Sequence, residues 1–167
     1  VTLELDSRPI PMLAPEVIDC AKRAVLCWLA TVDADGVPNV SPKEVWAPIG
    51  DRHIVVANIA SPVSVRNIAA NAAVCVSFVD VFVQKGFKVK GRASVVRPGD
   101  AEYARWAAPL EEMAGGRFPI RSVIVVEVSG VAAIVAPSYW LYPGETTEGS
   151  QVEAAMRRYG VRGRGGS

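Results

Sequence analysis

The chain is 167 residues long, half of its residues are hydrophobic, and its formal net charge is +1. This length suits a single domain, and the apolar content excludes an intrinsically disordered chain. The last eleven residues hold four of the arginines and no acidic residue, so the remainder of the chain is net acidic. A domain that binds nucleic acid through its phosphates concentrates Lys and Arg on a folded face. We therefore expect no nucleic-acid partner.

The sequence also bears on membranes and cellular location. The longest charge-free run, residues 128–144, is interrupted by Gly130, Pro137 and Pro143. It therefore falls short of the ~20 continuous apolar residues that span a bilayer. The first residues do not show the basic segment followed by an apolar segment that marks a secretory leader. We expect a cytoplasmic protein that does not associate with membranes.

Few residues are suited to metal binding. The three cysteines, Cys20, Cys27 and Cys75, do not follow the spacing of a zinc site, and their odd number leaves at least one thiol unpaired. The only histidine is His53. We expect buried thiols, a surface histidine and no metal.

The first half of the chain predicts a helix followed by strands. Residues 14–23 have the spacing of a short amphipathic helix, and the apolar run 24–32 reads as a strand that ends in an Asp-Gly turn. The segment 37–48 is predicted to be the return strand, although Pro38 and Pro42 favour an edge position. A third strand is expected over 53–58.

The second half of the chain is also predicted to contain helices followed by strands. Ser61-Pro62 begins a helix that runs to about Asn71, with the Ser61 hydroxyl as its cap. Strands 73–83 and 87–92 follow, with a turn at Lys85-Gly86. Asp100 opens a helix that Pro109 kinks or ends and that Gly115-Gly116 closes. The last predicted elements are strands 121–128 and 131–136, with a bulge or bend at Ser129-Gly130, and a helix over 151–159.

Tight turns between consecutive strands favour an antiparallel sheet. A sheet of six or seven strands with helices at its ends protects its edges most easily by closing into a barrel. We predict one domain over residues 1–160 and a flexible Arg/Gly tail over 161–167.

An ordered series of segments carries a family resemblance over roughly residues 14–136. The segments are 37–43, 54–58, Ser61, the helix through 66–68 and Asn71, 74–78, and 86–93. Together they resemble the FMN-binding split barrel of the pyridoxamine 5'-phosphate oxidase-like group. The resemblance implies a mainly β fold with flanking helices, a six-stranded antiparallel Greek-key split β-barrel. It also implies a homodimer that binds FMN in clefts between its subunits.

The resemblance places the FMN phosphate at the start of the Ser61-Pro62 helix. It makes Lys43 and Arg66 the candidate cations, with Ser61 and Ser64 as hydroxyl partners. A helix N-terminus is itself favourable for an anion. Positions 62–64, where the group often has a Ser and a Lys or Arg, hold Pro, Val and Ser. From the residues alone, an ordinary capped helix remains the alternative.

Further residues match positions near the flavin ring in the family. Trp46 and Asn58 are alternatively a core aromatic and a strand-end turn residue. A plain hairpin tip is the alternative for 84–86, and a solvated outer face is favoured for the basic stripe Lys88, Lys90 and Arg92. The ring candidates are Val45, Trp46, Ala57, Asn58, Gln84, Lys85 and Gly86.

The resemblance implies a flavin-dependent oxidoreductase that acts on a small-molecule substrate. Family members that oxidise pyridoxamine phosphate carry additional basic and histidine residues near the C-terminus for the substrate phosphate. His53 is the only histidine of this chain and residues 137–142 do not resemble that segment, so we expect another substrate. One alternative is a deazaflavin-dependent reductase. The other is a non-catalytic dimeric barrel that binds flavin or haem.

Overall fold

The computed structural model describes residues 13–162. None of its helices is both long enough and apolar enough to cross a membrane. The helices are α1 (Pro15–Arg23), α2 (Pro62–Ala70), α3 (Tyr103–Ala114), α4 (Ser138–Leu141) and α5 (Glu148–Tyr159). The strands are β1 (Cys27–Val32), β2 (Pro38–Lys43), β3 (Trp46–Ile49), β4 (His53–Asn58), β5 (Ala73–Asp80), β6 (Lys85–Val96) and β7 (Ser122–Val135). Of the predicted tail, residues 163–167 lie outside the described residues.

The strands form one antiparallel sheet in the order β2-β1-β5-β6-β7-β4-β3. The two edge strands follow each other in the chain, since β2 ends at Lys43 and β3 begins at Trp46. Such a short link spans at most about 11 Å. The sheet must therefore curl until its edges approach. The predicted mainly β split barrel is confirmed, with seven strands where the resemblance implies six. The expected strand 37–48 divides at this link into β2 and β3.

The last long strand contains the predicted bulge. Lys90 pairs with Gly130 and Gly91 pairs with Val128, which leaves Ser129 as the extra residue on β7. The two strands expected over 121–128 and 131–136 are therefore one continuous strand. Because the bulge shifts the alternation by one residue, Val126 and Val131 both face the barrel interior.

The predicted turn at Lys85-Gly86 was wrong, because both residues begin β6. The turn lies at 81–84 and places Gln84 at a φ of 57°. Gly86 is required by a close approach of the β5 backbone. A Cβ at this position would lie 2.1 Å from the Phe78 carbonyl oxygen. Glycine signals here the packing of two strands rather than a turn.

Two hydrophobic clusters lie on opposite faces of the curled sheet. The barrel interior contains Leu29, Val76 and Phe78 together with the buried Cys20 and Cys27. The second cluster lies between α3 and the outer face of β4 and β7. It includes Val55, Trp106, Leu110 and Val123. α3 continues through Pro109 to Ala114 and ends at Gly115, as the Gly-Gly pair predicts.

We expect Gly86→Ala to destabilise the protein by about 3 kcal/mol, because the added methyl group must displace the β5 backbone. Denaturant unfolding followed by circular dichroism measures this loss. Gly144→Ala is the matched control, since a Cβ there meets nothing within 4 Å. Equal stability of the two variants would contradict the proposed close approach.

Candidate functional site

Polar side chains from β2, β4, β7 and α2 come together. Lys43 and Asn58 are the last residues of β2 and β4. The Lys43 ammonium donates a hydrogen bond to the Ser61 hydroxyl. The hydroxyls of Ser41 and Ser64 lie 3.2 Å apart. We call this group the polar cluster: Ser41, Lys43, Asn58, Ser61, Ser64 and Ser122.

Asn58 fixes the start of α2 against the sheet. Its Oδ1 accepts a hydrogen bond from the Ser61 backbone N–H at 3.1 Å. Its Nδ2 donates to the Ser122 hydroxyl at 2.9 Å, across the β4–β7 pair. Asn58 therefore positions the first turn of α2 relative to β4 and β7.

Lys43 is a buried cation, with 5% of its surface exposed. Among the described residues, no carboxylate lies within the 4 Å of an ion pair with its ammonium. Burial lowers the pKa of Lys43, and the opposing strand residue Cys27 partly offsets this effect. Burial likewise raises the pKa of the Cys27 thiol. The side chain is therefore poised to interact with an anion, because a buried charge is costly without a partner.

The start of α2 adds a second source of positive potential. The Ser61 side chain does not cap the helix, so the capping role predicted for its hydroxyl was wrong. Its oxygen accepts from Lys43 instead. Pro62, the first helical residue, has no N–H to donate. The positive end of the helix dipole and the Lys43 ammonium thus lie together, which favours binding of a phosphate or another anion.

Other predicted residues near the polar cluster are buried. Val45 and Ala57 belong to the second hydrophobic cluster, which packs against α3. The Ala57 backbone N–H donates a hydrogen bond to the Val45 carbonyl oxygen at 3.0 Å. Trp46 faces the barrel interior, where its ring centroid lies 5.0 Å from that of Phe78. Trp46 thus takes the core-filling role that was its alternative.

The remaining predicted residues lie apart from the polar cluster. Arg66 is exposed, on the opposite side of α2 from the buried Ser64 and Asn67. Lys85 and Gly86 line a separate cleft of about 540 Å³ whose walls include no member of the polar cluster. Gln84 donates to Gln151 of α5. The structure therefore places Gln84, Lys85 and Gly86 apart from the polar cluster, and Arg66 in neither group.

Sequence reasoning missed Ser41, Ser122 and Cys27 as members or neighbours of the site. Ser41 had a signal, because it alternates with Lys43 on β2 and therefore shares its face. Ser122 and Cys27 reach the site only through strand pairing. No local pattern in the sequence indicates those contacts.

The fold and the site thus define a class of protein: a split barrel with a polar cluster that favours anion binding. A family model for pyridoxamine 5'-phosphate oxidase matches residues 13–135. The chain belongs to this family, and the resemblance inferred from the sequence is confirmed. No curated relative matches the sequence.

Solved structures show the same fold. An FMN-binding protein from Syntrophomonas wolfei is 18% identical, with 72% of this chain and 88% of that chain covered and a TM-score of 0.60. An F420 reductase is 22% identical, with coverages of 71% and 98% and a TM-score of 0.55. The heme storage protein HutZ from Vibrio cholerae is 21% identical, with coverages of 74% and 94% and a TM-score of 0.55. At these identities the similarity establishes a common fold.

We expect Lys43→Met to raise the free energy of unfolding by about 1 kcal/mol at neutral pH, because it removes the cost of a buried charge. The pKa of Lys43 is lower in the folded state than its ordinary 10.5. The unfolded chain therefore binds more protons between the folded pKa and 10.5, and wild-type stability rises with pH across this window. The gain in free energy of unfolding from Lys43→Met therefore shrinks as the pH rises through this window.

Urea unfolding of both proteins across this pH range measures the difference. The exposed Lys88→Met is the control, and it is expected to change stability by no more than about 0.5 kcal/mol at any pH. A Lys43→Met effect that does not vary with pH would contradict the assigned burial.

Proposed function

We propose that this protein is an FMN-binding flavoprotein that functions as a homodimer and catalyses flavin-dependent oxidoreduction of a small molecule. The buried Lys43 ammonium beside the start of α2, which has no carboxylate partner among the described residues, carries the proposal. A phosphate group placed there would gain an ion pair, hydroxyl partners and the helix dipole together. Family membership and the FMN-binding neighbour support the same ligand class.

The residues of the polar cluster fit a phosphate-bearing cofactor. Ser61 supplies a hydroxyl bonded to Lys43, Ser64 supplies one beside Ser41, and Asn58 holds the helix start in place. When bound, the flavin supplies the electron and hydride chemistry, while the protein supplies binding and orientation. The side chains of the polar cluster would bind and position the cofactor without transferring electrons themselves.

A homodimer accounts for the division of the predicted residues. The polar cluster and the group Gln84, Lys85 and Gly86 do not share a cleft within one subunit. If both groups contact one cofactor, they come from different subunits. The outer face of β1 and β2 offers an apolar contact surface, because Trp28 and Val40 are 45% and 58% exposed.

A deazaflavin is the second candidate cofactor, and the charge count favours considering it. Lys43 is the one cation of the polar cluster, and Pro62 and Val63 add none. The single Lys43 ammonium balances a ligand phosphate with one negative charge better than a phosphate with two, such as that of FMN. The F420 reductase neighbour has the same fold. The haem alternative lacks support at the polar cluster, because His53 lies instead against Trp106, with ring centroids 5.0 Å apart.

We expect the purified protein to bind added FMN with micromolar or better affinity and Lys43→Met to weaken binding at least about tenfold, since it removes the charge-assisted contact to the phosphate. Quenching of flavin fluorescence measures both values. Lys88→Met is the matched control and is expected to retain wild-type affinity.

Parallel titration with the deazaflavin F420 separates the two candidates. Tight binding of F420 alone would replace FMN as the cofactor. Absence of binding for both would overturn the proposed function. Mixing reduced flavoprotein with oxygen or candidate acceptors then tests catalysis, because a storage or sensor protein would not turn over.

We expect Trp28→Glu to convert the dimer into monomers, because it introduces a charge into the centre of the proposed apolar contact. Sedimentation equilibrium measures the mass. Lys22→Glu, an exposed charge change on α1, is the control that should leave the dimer intact. A wild-type protein that is monomeric at all concentrations would refute this arrangement.

A further inference from the structure

Residues 136–159 follow β7, and we call them the C-terminal segment. They close one side of the 540 Å³ cleft through Glu148. The cleft lies between α1, the start of β6, the end of β7 and Glu148 of α5. Phe87, Ile134 and Val135 form much of its apolar wall, and charged side chains surround it. This combination suits a small molecule with an apolar body and a charged group.

Polar contacts fasten the segment to the β5–β6 turn. Lys85 Nζ lies 2.8 Å from Glu148 Oε1 and 4.4 Å from the centroid of the Tyr139 ring. The hydrogen bond from Lys85 to Glu148 raises the pKa of the lysine and keeps it charged. The Tyr139 hydroxyl donates to the Val83 carbonyl oxygen at 2.7 Å. Lys85 is thus occupied by a carboxylate of the chain's own helix.

The contact between Lys85 and Glu148 of α5 is weak enough to be exchanged. Ala155 is the one buried residue of this helix. The side chains of Lys85 and Glu148 are 39% and 61% exposed, so water screens their attraction. A capping box between Thr147 and Ser150 satisfies the helix start internally. Gln151 accepts a hydrogen bond from Gln84 and donates one to Ser138, and these contacts hold the helix itself. The exchangeable contact is therefore the Glu148 side chain at the first turn of the helix.

Glu148 also sets the charge balance of the cleft. With α5 in place, the carboxylates of Glu16, Asp80 and Glu148 face the cations of Arg23 and Lys85. Asp80 is paired with Arg23 at 3.2 Å. Departure of Glu148 leaves two carboxylates and two cations and frees Lys85. An anion then finds a cation without a competing partner.

We propose that this cleft binds a small apolar molecule with one anionic group, and that Glu148 gates it by occupying Lys85 until the ligand's anion takes its place. The inference extends the proposed function, because Lys85 belongs to both. Its test does not depend on whether the protein binds a flavin.

The fluorescent probe 1-anilinonaphthalene-8-sulfonate tests the proposal, because it joins an apolar ring system to one sulfonate. We expect Glu148→Gln to lower the Kd of this probe about fourfold and Lys85→Met to raise it by a similar factor, as suits an exposed ion pair. N-phenyl-1-naphthylamine has the same rings without the sulfonate. Its affinity should not change in either variant.

Glu153→Gln is the matched control, because Glu153 lies on the same helix and pairs with Arg157 outside the cleft. It removes the same charge from α5 and should leave probe binding unchanged. If Glu153→Gln and Glu148→Gln act equally, the effect is one of net charge and the gate is refuted. Unchanged binding in both Lys85→Met and Glu148→Gln would also refute it.

Hydrogen exchange provides a second readout without any ligand. Loss of the Lys85 contact should raise amide exchange across 151–159 in Glu148→Gln but not in Glu153→Gln. A protein that shows this response and binds no flavin would retain the gate and lose the proposed function. Flavin binding without the response would retain the function and refute the gate.

Discussion

The short connection between β2 and β3 is the constraint on which the rest of the structure depends. These strands lie at opposite edges of the sheet, yet Lys43 ends one and Trp46 begins the other. The curl that this link imposes encloses the interior core around Phe78. It also brings the end of β2 beside the end of β4 and the start of α2. The fold and the candidate site therefore have a common physical origin.

Lys43 lies where this curl brings the end of β2 beside the start of α2. A lysine in the barrel wall would destabilise the fold if it faced only apolar atoms. The Ser61 hydroxyl and the start of α2 reduce that cost but supply no negative charge. The remaining electrostatic deficit is what a phosphate-bearing ligand would relieve. The chain shares this barrel with its family, and positions 62–64 at the start of α2 carry no cation. The demand on Lys43 is correspondingly greater.

The surroundings of Lys43 and Lys85 differ in burial and in charge. At the polar cluster, the cation is buried and has no carboxylate partner among the described residues. At the 540 Å³ cleft, Lys85 is partly exposed and already paired with Glu148. The first arrangement favours lasting occupation by a cofactor, and the second favours exchange. This contrast is consistent with a protein that holds one ligand and admits another.

The sequence by itself determined the types of the longer elements, the position of the Ser129-Gly130 bulge and the family, because alternation, turn residues and helix starts are local signals. It also identified Lys43 and Ser61, although not the hydrogen bond between them. Only the tertiary structure decided that segment 37–48 divides, that Gly86 lies in a strand, and that Ser122 supports Asn58. Each of these features arises when segments distant in sequence approach each other. Such approaches are decided by strand pairing and closure of the sheet, which no local pattern encodes.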